Sequence, residues 1–303
     1  MILIFSTGIA LSEAEASVAA PFTSKVFDIS CVPQLVREGR AALVTSFSIF
    51  KYIALYSFIQ FFGVLILYNF KTSYSDWGFF MADLILAFAF ALAITRSKTS
   101  SALAEKRPPG RLSEIKTIVN IFVQLIVLLA FQILAAIFAR RDALYQPPEK
   151  MGEIDFGFYY VSYESYAVVS INFFQYIWTV FPCYTSEPYL EPLYKNRWFI
   201  AVFIVNLILV ILSVLAPADF IKTIFEYPTK ISQNLSLIIM GLGLANLFVL
   251  LGIDWLVQKM HCLKLCLNKV NILLRRKKKK ANYKVVFNRL LHENWVENSL
   301  EKE

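Results

Sequence analysis

Six long apolar segments separated by polar stretches dominate the pattern of the chain. They cover residues 42–69, 77–95, 118–139, 167–183, 198–215 and 235–257. A membrane hydrocarbon core of about 30 Å takes about 20 helical residues, so we expect each segment to cross a membrane. The segments are continuously apolar rather than alternating, which predicts helices instead of barrel strands. The fourth segment is the shortest and most polar, so the pattern defines its ends least well.

This pattern predicts an all-α membrane protein with six transmembrane helices. Three regions follow from it: a short cytosolic amino-terminal region (residues 1–41), a transmembrane domain (residues 42–257) and a basic cytosolic tail (residues 258–303). The composition agrees, since 57% of the residues are hydrophobic and the mean hydropathy is +0.56. The four Cys and two His residues lack the spacing of a structural metal site or a disulfide framework.

The positive charges near the segment ends predict that both termini are cytosolic. In membrane proteins the cytosolic loops carry an excess of Lys and Arg. With a cytosolic amino terminus, the cytosolic side before the tail holds Lys25, Arg37, Arg40, Arg96, Lys98, Lys106, Arg107, Arg111, Lys116, Lys195 and Arg197. The opposite side holds fewer: Lys71, Arg140, Arg141, Lys150, Lys222 and Lys230.

The tail contains a run of six basic residues from Arg275 to Lys280. One interpretation is contact with anionic lipid headgroups, and the other is a topology determinant without a ligand. Nucleic-acid binding is a further match to such a run, but we do not expect it next to six membrane spans.

Several stretches of the chain resemble type V P-type ATPases, and their amino-acid sequences are similar to those of subgroup B. The similarity is carried by residues 8–25 (GIALSEAEASVAAPFTSK), 37–60 (REGRAALVTSFSIFKYIALYSFIQ), 106–111 (KRPPGR), 172–176 (NFFQY) and 192–197 (PLYKNR). The resemblance implies the junction between the last soluble catalytic lobe and the carboxy-terminal membrane helices. It makes residues 1–41 a remnant of the phosphorylation domain and stalk. It also implies ATP-driven movement of polyamines from the lumen of late endosomes or lysosomes to the cytosol, with ATP and Mg²⁺ as cofactors of the full-length ATPase.

The chain departs from the family pattern where catalysis would occur. Residues 1–7 (MILIFST) stand where the family has an acidic, glycine-rich motif, and the DKTG phosphorylation motif is absent from the sequence. We therefore expect no catalytic residue, no metal ligand and no cofactor in this chain, which would be an inactive piece of a longer ATPase. The alternative is a non-catalytic membrane protein that associates with or regulates a full-length transporter.

Asp83 is the strongest candidate for substrate binding. It lies within the second apolar segment, where a carboxylate costs about 3 kcal/mol on insertion scales unless it has a cationic partner or a water-filled path. A carboxylate that faces the bundle interior would bind the ammonium groups of a polyamine, and the resemblance implies the same role. The alternatives are a structural ion pair with a Lys or a carboxyl group kept neutral by burial.

Other residues near Asp83 are candidates of lesser weight. Phe79 lies four residues earlier on the same helix face and would offer its ring to an ammonium group. Asp76 would attract cations to the luminal entrance. On the preceding segment Tyr52, Tyr56 and Gln60 share one face, which suits a lining wall, although packing between helices explains the same spacing.

Two further sets of polar residues have a predicted role. Interhelical hydrogen bonds are expected for Asn172, Gln175, Asn206 and Asn246. The luminal loop of residues 140–166 is rich in acidic and Tyr residues, including Glu164. It is either a vestibule that attracts cations or a solvated loop that tyrosines anchor at the interface.

Overall fold

The computed structural model describes residues 29, 31–101, 103–104, 108, 115–151, 154–155 and 157–259. Most of the predicted phosphorylation-domain remnant, most of the KRPPGR stretch and the basic tail from residue 260 lie outside the described residues.

The described part of the chain is mostly helical. Its helices in chain order are α1 (Cys31–Asn69), α2 (Asp76–Thr95), α3 (Ile115–Arg140), α4 (Tyr163–Trp178), α5 (Val180–Cys183), α6 (Arg197–Leu215), α7 (Asp219–Phe225) and α8 (Gln233–Lys259). Short 3₁₀ turns cover Pro148–Lys150 and Leu193–Lys195. Two residues of β1 (Ile154–Asp155) pair antiparallel with two of β2 (Phe158–Tyr159), a small hairpin that the all-α prediction omitted.

Five of these helices, α1, α2, α3, α6 and α8, are long and apolar enough to cross a membrane. The fourth predicted segment is different, because the structure divides it into α4, which has 16 residues, and the short α5. Pro182 contributes to this division, since it has no N–H group to donate to the carbonyl of Trp178. The predicted boundaries of the other five segments agree with the observed helices to within a few residues, apart from the longer start of α1.

Helix α4 occupies the centre of the bundle. It packs against α1, α3, α6 and α8, and each of its residues is buried. A helix that other helices cover on all sides has no lipid-facing surface of its own, so its sequence need not be uniformly apolar. This position explains why the fourth segment has the weakest apolar pattern.

The bundle has two ends that differ in their residues. The Arg140 end contains the end of α1, the start of α2 and the hairpin. A β-bridge between Thr72 and Tyr159 joins the loop after α1 to the hairpin. The Arg96 end contains the end of α2 and the start of α6, and a bridge between Thr99 and Leu190 connects its loops. The segment that includes α4 and α5 runs from the first end to the second.

Candidate functional site

The structure brings Asp83 together with Tyr56 and Gln60. The Tyr56 hydroxyl donates a hydrogen bond to Asp83 Oδ1, and Gln60 Nε2 donates to the same oxygen at 3.3 Å. In the part of the chain that the structure describes, none of the hydrogen bonds found uses Asp83 Oδ2. We call these three residues the Asp83 cluster. It leaves one carboxylate oxygen free to accept a further donor.

The local structure of α1 and α2 produces this cluster. Tyr56 and Gln60 lie one turn apart on α1, so both side chains point to the same side. Asp83 lies in a π-helical section of α2 (Met81–Phe88). Such sections are frequent at functional sites, and the sequence pattern did not predict this one.

The Asp83 carboxylate lies on the outer surface of the described helices, not in their interior as expected. The opposite face of α2 carries Ala82 and Leu86, which are buried against the bundle. Asp83 itself is exposed, and its neighbours Phe80 and Leu84 are 45% and 49% exposed. An exposed carboxylate at this depth is costly in lipid. The described helices therefore leave this carboxylate uncovered.

Tyr52 and Phe79 belong to the packed core and have no part in the Asp83 cluster. Tyr52 is fully buried and donates from its hydroxyl to the Tyr176 carbonyl at 3.2 Å. The Phe79 ring stacks on the Tyr74 ring with 4.9 Å between centroids. For these two residues the packing interpretation fits the geometry better than a lining role.

Acidic side chains converge at the Arg140 end, where α2 begins. Asp76 is exposed in the first turn of α2, about 10 Å along the axis from Asp83. Glu226 follows α7 with a left-handed backbone (φ 55°) and is partly buried. Burial raises the pKa of Glu226, and the nearby carboxylates Asp76 and Asp155 raise this pKa further. We call Asp76, Asp155 and Glu226 the acidic entrance; the sequence pattern did not single out Glu226.

Glu164 has a structural position instead of a place in a vestibule. It is almost fully buried, its Oε1 lies 3.8 Å from Arg140 Nε, and Tyr145 donates to it at 2.7 Å. The Arg140 guanidinium also lies over the Phe70 ring at 4.9 Å. These contacts attach the end of α3 to the start of α4.

The polar residues of the spans differ in their partners. Gln132 on α3 donates to Gln175 Oε1 on α4 at 3.1 Å, so this contact joins two helices as predicted. Asn172 on α4 donates to the hydroxyl of Tyr74, which lies in the loop between α1 and α2. Asn206 instead donates to the Val202 carbonyl of its own helix at 2.9 Å. Asn246 is buried, and its side chain has no hydrogen-bond partner among the described residues. The interhelical prediction is therefore wrong for Asn206.

Among the residues that the structure describes, no group of His, Cys, Asp and Glu side chains is arranged to hold a metal ion.

No protein-family model matches the chain, but its sequence is similar to curated P-type ATPases. It is 33% identical over 279 residues to the vacuolar cation-transporting ATPase YPK9 of Saccharomyces cerevisiae. This alignment covers 92% of this chain and 18% of the yeast protein. It is 32% identical over 308 residues to the polyamine-transporting ATPase 13A3 of Homo sapiens, in an alignment that covers 94% of this chain and 24% of the human protein. It is 30% identical over 292 residues to the human polyamine-transporting ATPase 13A2, with 95% and 24% covered. The chain thus spans about a fifth to a quarter of the length of these relatives.

Proposed function

Because the chain belongs to the type V P-type ATPases of subgroup B, by homology over about 90% of its length, we propose that it forms the carboxy-terminal membrane part of an ATP-driven cation transporter. We propose polyamines as the cations, moved from the lumen of late endosomes or lysosomes to the cytosol. The names of the similar human proteins support a polyamine substrate, and the yeast relative supports a cation more generally.

The Asp83 cluster is the observation that carries this proposal. The Tyr56 and Gln60 donors fix Oδ1 of the carboxylate, while Oδ2 remains available. A protonated amine donates strongly to a carboxylate, and the bond gains strength where water is scarce. Polyamines carry several such ammonium groups, so a carboxylate held within a span suits one step of their path.

The open side of the Asp83 cluster supports a longer protein. The carboxylate is exposed among apolar side chains, a position that lipid alone does not stabilise. We propose that further membrane helices of the longer ATPase cover this face and complete the cation site.

The acidic entrance supports a path from the Arg140 end. Asp76, Asp155 and Glu226 place negative charge where α2 begins, and such charge raises the local concentration of cations. We propose that this end is luminal and that a polyamine passes the entrance before it reaches Asp83.

Six membrane crossings with both termini in the cytosol complete the proposed topology. Five helices qualify by length, and the segment that contains α4 and α5 connects the two ends of the bundle as a sixth crossing requires. The excess of basic residues in the predicted cytosolic loops supports the same orientation.

Catalysis is proposed to reside outside this chain. Phosphoryl transfer needs a nucleophilic carboxylate, Mg²⁺ ligands and a phosphate cradle, and ATP and Mg²⁺ would bind to the other domains of the longer ATPase. We therefore expect the 303-residue chain alone not to hydrolyse ATP; transfer of labelled phosphate from ATP to this chain would contradict the assignment.

The Asp83→Asn substitution in the longer ATPase tests the proposed substrate site. Asn keeps the shape and one oxygen but removes the charge, so polyamine-stimulated ATP hydrolysis should fall at least tenfold while expression and membrane insertion stay normal. The matched control is Asp219→Asn, which removes a fully exposed carboxylate at the Arg140 end of the bundle. Normal polyamine stimulation in a well-folded Asp83→Asn protein would remove Asp83 from the site.

A further inference from the structure

A pocket with several charged side chains lies at the Arg96 end, between the end of α2 and the start of α6. Its cavity volume is about 500 Å³, within the usual range of small-molecule sites. Four cationic side chains line it, together with one carboxylate and one indole: Arg96, Lys98, Lys195, Arg197, Glu191 and Trp198. The Asp83 cluster and the acidic entrance share no residue with this pocket.

Backbone and side-chain hydrogen bonds hold the two walls of the pocket together. The Glu191 amide donates to the Lys98 carbonyl at 3.0 Å. The Asn196 side chain donates to the Ala93 carbonyl at 2.8 Å and to Ser97 Oγ at 3.2 Å. Asn196 also caps α6, since its Oδ1 accepts from the Phe199 amide. The pocket is therefore a built feature of two joined loops and not a chance gap between mobile side chains.

The charges of the pocket are not neutralised within the described part of the chain. None of the ion pairs found there involves the four cationic side chains or Glu191. Four like charges around one cavity repel each other, and the single carboxylate offsets only one of them. An anion with at least two acceptor groups would relieve this repulsion.

The surroundings of the pocket indicate that the anion belongs to a lipid. Trp198, in the first turn of α6, is 66% exposed, and an exposed indole at the end of a span is typical of the membrane interface. Leu92 on α2 and Ile204 on α6, the helices that end and begin at the pocket, are 50% and 49% exposed. A ligand seated here would have an anionic head in the pocket and apolar tails along α2 and α6.

We propose that this pocket binds the headgroup of an anionic aminophospholipid, of which phosphatidylserine is the common example. Its phosphate and carboxylate would accept hydrogen bonds from the Arg and Lys side chains, with the planar guanidinium groups suited to two-point contacts. Its ammonium group would pair with Glu191, the one acidic residue that lines the cavity. An anionic lipid without an amine would leave Glu191 facing a phosphate. The pocket should therefore bind an anionic aminophospholipid more tightly than an anionic lipid that has no amine.

Native mass spectrometry of the purified 303-residue chain with added lipid tests the proposal. The pocket variant carries Arg96→Gln, Lys98→Gln, Lys195→Gln and Arg197→Gln. The control variant carries Lys71→Gln, Arg141→Gln, Lys150→Gln and Lys230→Gln, which remove the same charge from exposed positions at the other end. Phosphatidylserine should remain on the wild type and the control as a single adduct and bind the pocket variant at least tenfold more weakly. Since all three proteins keep the basic tail, equal binding by the pocket and control variants would overturn the proposal.

Two further arms identify the ligand. Wild-type protein should prefer phosphatidylserine over phosphatidylglycerol, and Glu191→Gln should reduce that preference at least threefold; no preference, or one that Glu191→Gln leaves unchanged, would contradict the assigned ammonium contact. Soluble phosphoserine and inorganic phosphate should displace the lipid only at concentrations at least a hundredfold higher than the competing lipid. Displacement at equal concentration would assign the pocket to a free phosphate compound instead. If the fourfold pocket variant does not fold, Lys98→Gln with Lys195→Gln is used, with Lys71→Gln and Lys150→Gln as its control.

Discussion

Asp83 is held on one side and open on the other. Its Oδ1 accepts from Tyr56 and Gln60, and the surface around it is apolar. This arrangement orients a carboxylate without saturating it, which is the state that a binding group for an ammonium needs before its ligand arrives. A purely structural carboxylate would normally be covered, as Glu164 is, with its Oε1 in contact with both Arg140 and Tyr145.

Gly63 gives a test of the packing beside this site. A Cβ atom at Gly63 would lie 2.3 Å from Asn172 Nδ2 and 2.8 Å from the Tyr74 hydroxyl. Gly63→Ala should therefore separate Asn172 from Tyr74 and lower the free energy of unfolding by about 1–3 kcal/mol. The control is Gly252→Ala, since no atom of the described residues, apart from the adjacent residues and the local helix backbone, lies within 4 Å of a Cβ at that position.

Thermal unfolding of the purified chain in detergent measures the effect of both substitutions. Adding Asn172→Ala to Gly63→Ala should cost less than the sum of the two single changes, because the pair shares one contact. Equal stability of the Gly63→Ala and Gly252→Ala proteins would contradict the close approach of α1 and α4.

Glu226 makes a prediction about pH. Burial and the nearby Asp76 and Asp155 raise the pKa of Glu226 in the folded protein. The neutral carboxyl group therefore contributes stability that is fully present below the pKa of the unfolded chain and is lost as the pH rises through the pKa of the folded protein. Gln stays neutral, so Glu226→Gln should raise the melting temperature by about 1–3 °C at pH 7.5. At about pH 4 and below the two proteins should melt together.

The control for this measurement is Glu149→Gln, which changes an exposed carboxylate at the same end. A Glu226→Gln protein that melts below the wild type at pH 7.5 would show that the ionised carboxylate stabilises the fold, contrary to this account.

Sequence alone predicted the residues of the Asp83 cluster better than their surroundings. A carboxylate within an apolar segment is unusual enough to stand out, and the four-residue spacing of Tyr56 and Gln60 places them on one face. The same spacing placed Tyr52 on that face, but spacing does not say which neighbour covers each turn. The acidic entrance depends on contacts between distant segments, so Glu226 had no signal in the local pattern.

At the scale of elements, α4 is the helix on which the topology depends. Five helices carry a clear apolar pattern, because lipid or the core surrounds them with apolar groups. The pattern of α4 is weaker since other helices bury its polar side chains, such as Asn172 and Gln175, within hydrogen bonds. The π-helical section of α2 also had no sequence signal, because its apolar residues suit an ordinary α-helix equally well.

Labelling of single cysteines from one side of sealed vesicles tests the crossing by α4 and α5. In a background without the native cysteines, Lys150→Cys lies before α4 and Tyr194→Cys lies after α5; both positions are exposed. An impermeant maleimide should reach Tyr194→Cys only from the cytosolic side and Lys150→Cys only from the luminal side. Reaction of both positions from the same side would mean that this segment does not cross the membrane.

At the scale of the whole molecule, the described helices form a bundle with a core around α4 and an exposed carboxylate, Asp83, on its apolar surface. The homology places the chain in a family whose members are four to five times longer. The open cluster, the acidic entrance and the proposed lipid pocket occupy separate places on this bundle. In the proposed account the cation path uses the first two, and the lipid pocket anchors the opposite end.

The central claim is that Asp83 binds the transported cation, and a structure of the longer ATPase with a bound polyamine tests it most directly. The account predicts an amine nitrogen about 3–4 Å from Asp83 Oδ2, with Tyr56 and Gln60 still bonded to Oδ1 and further helices covering the ligand. A polyamine bound elsewhere in the membrane domain, with the Asp83 carboxylate bonded only to Tyr56 and Gln60, would contradict it.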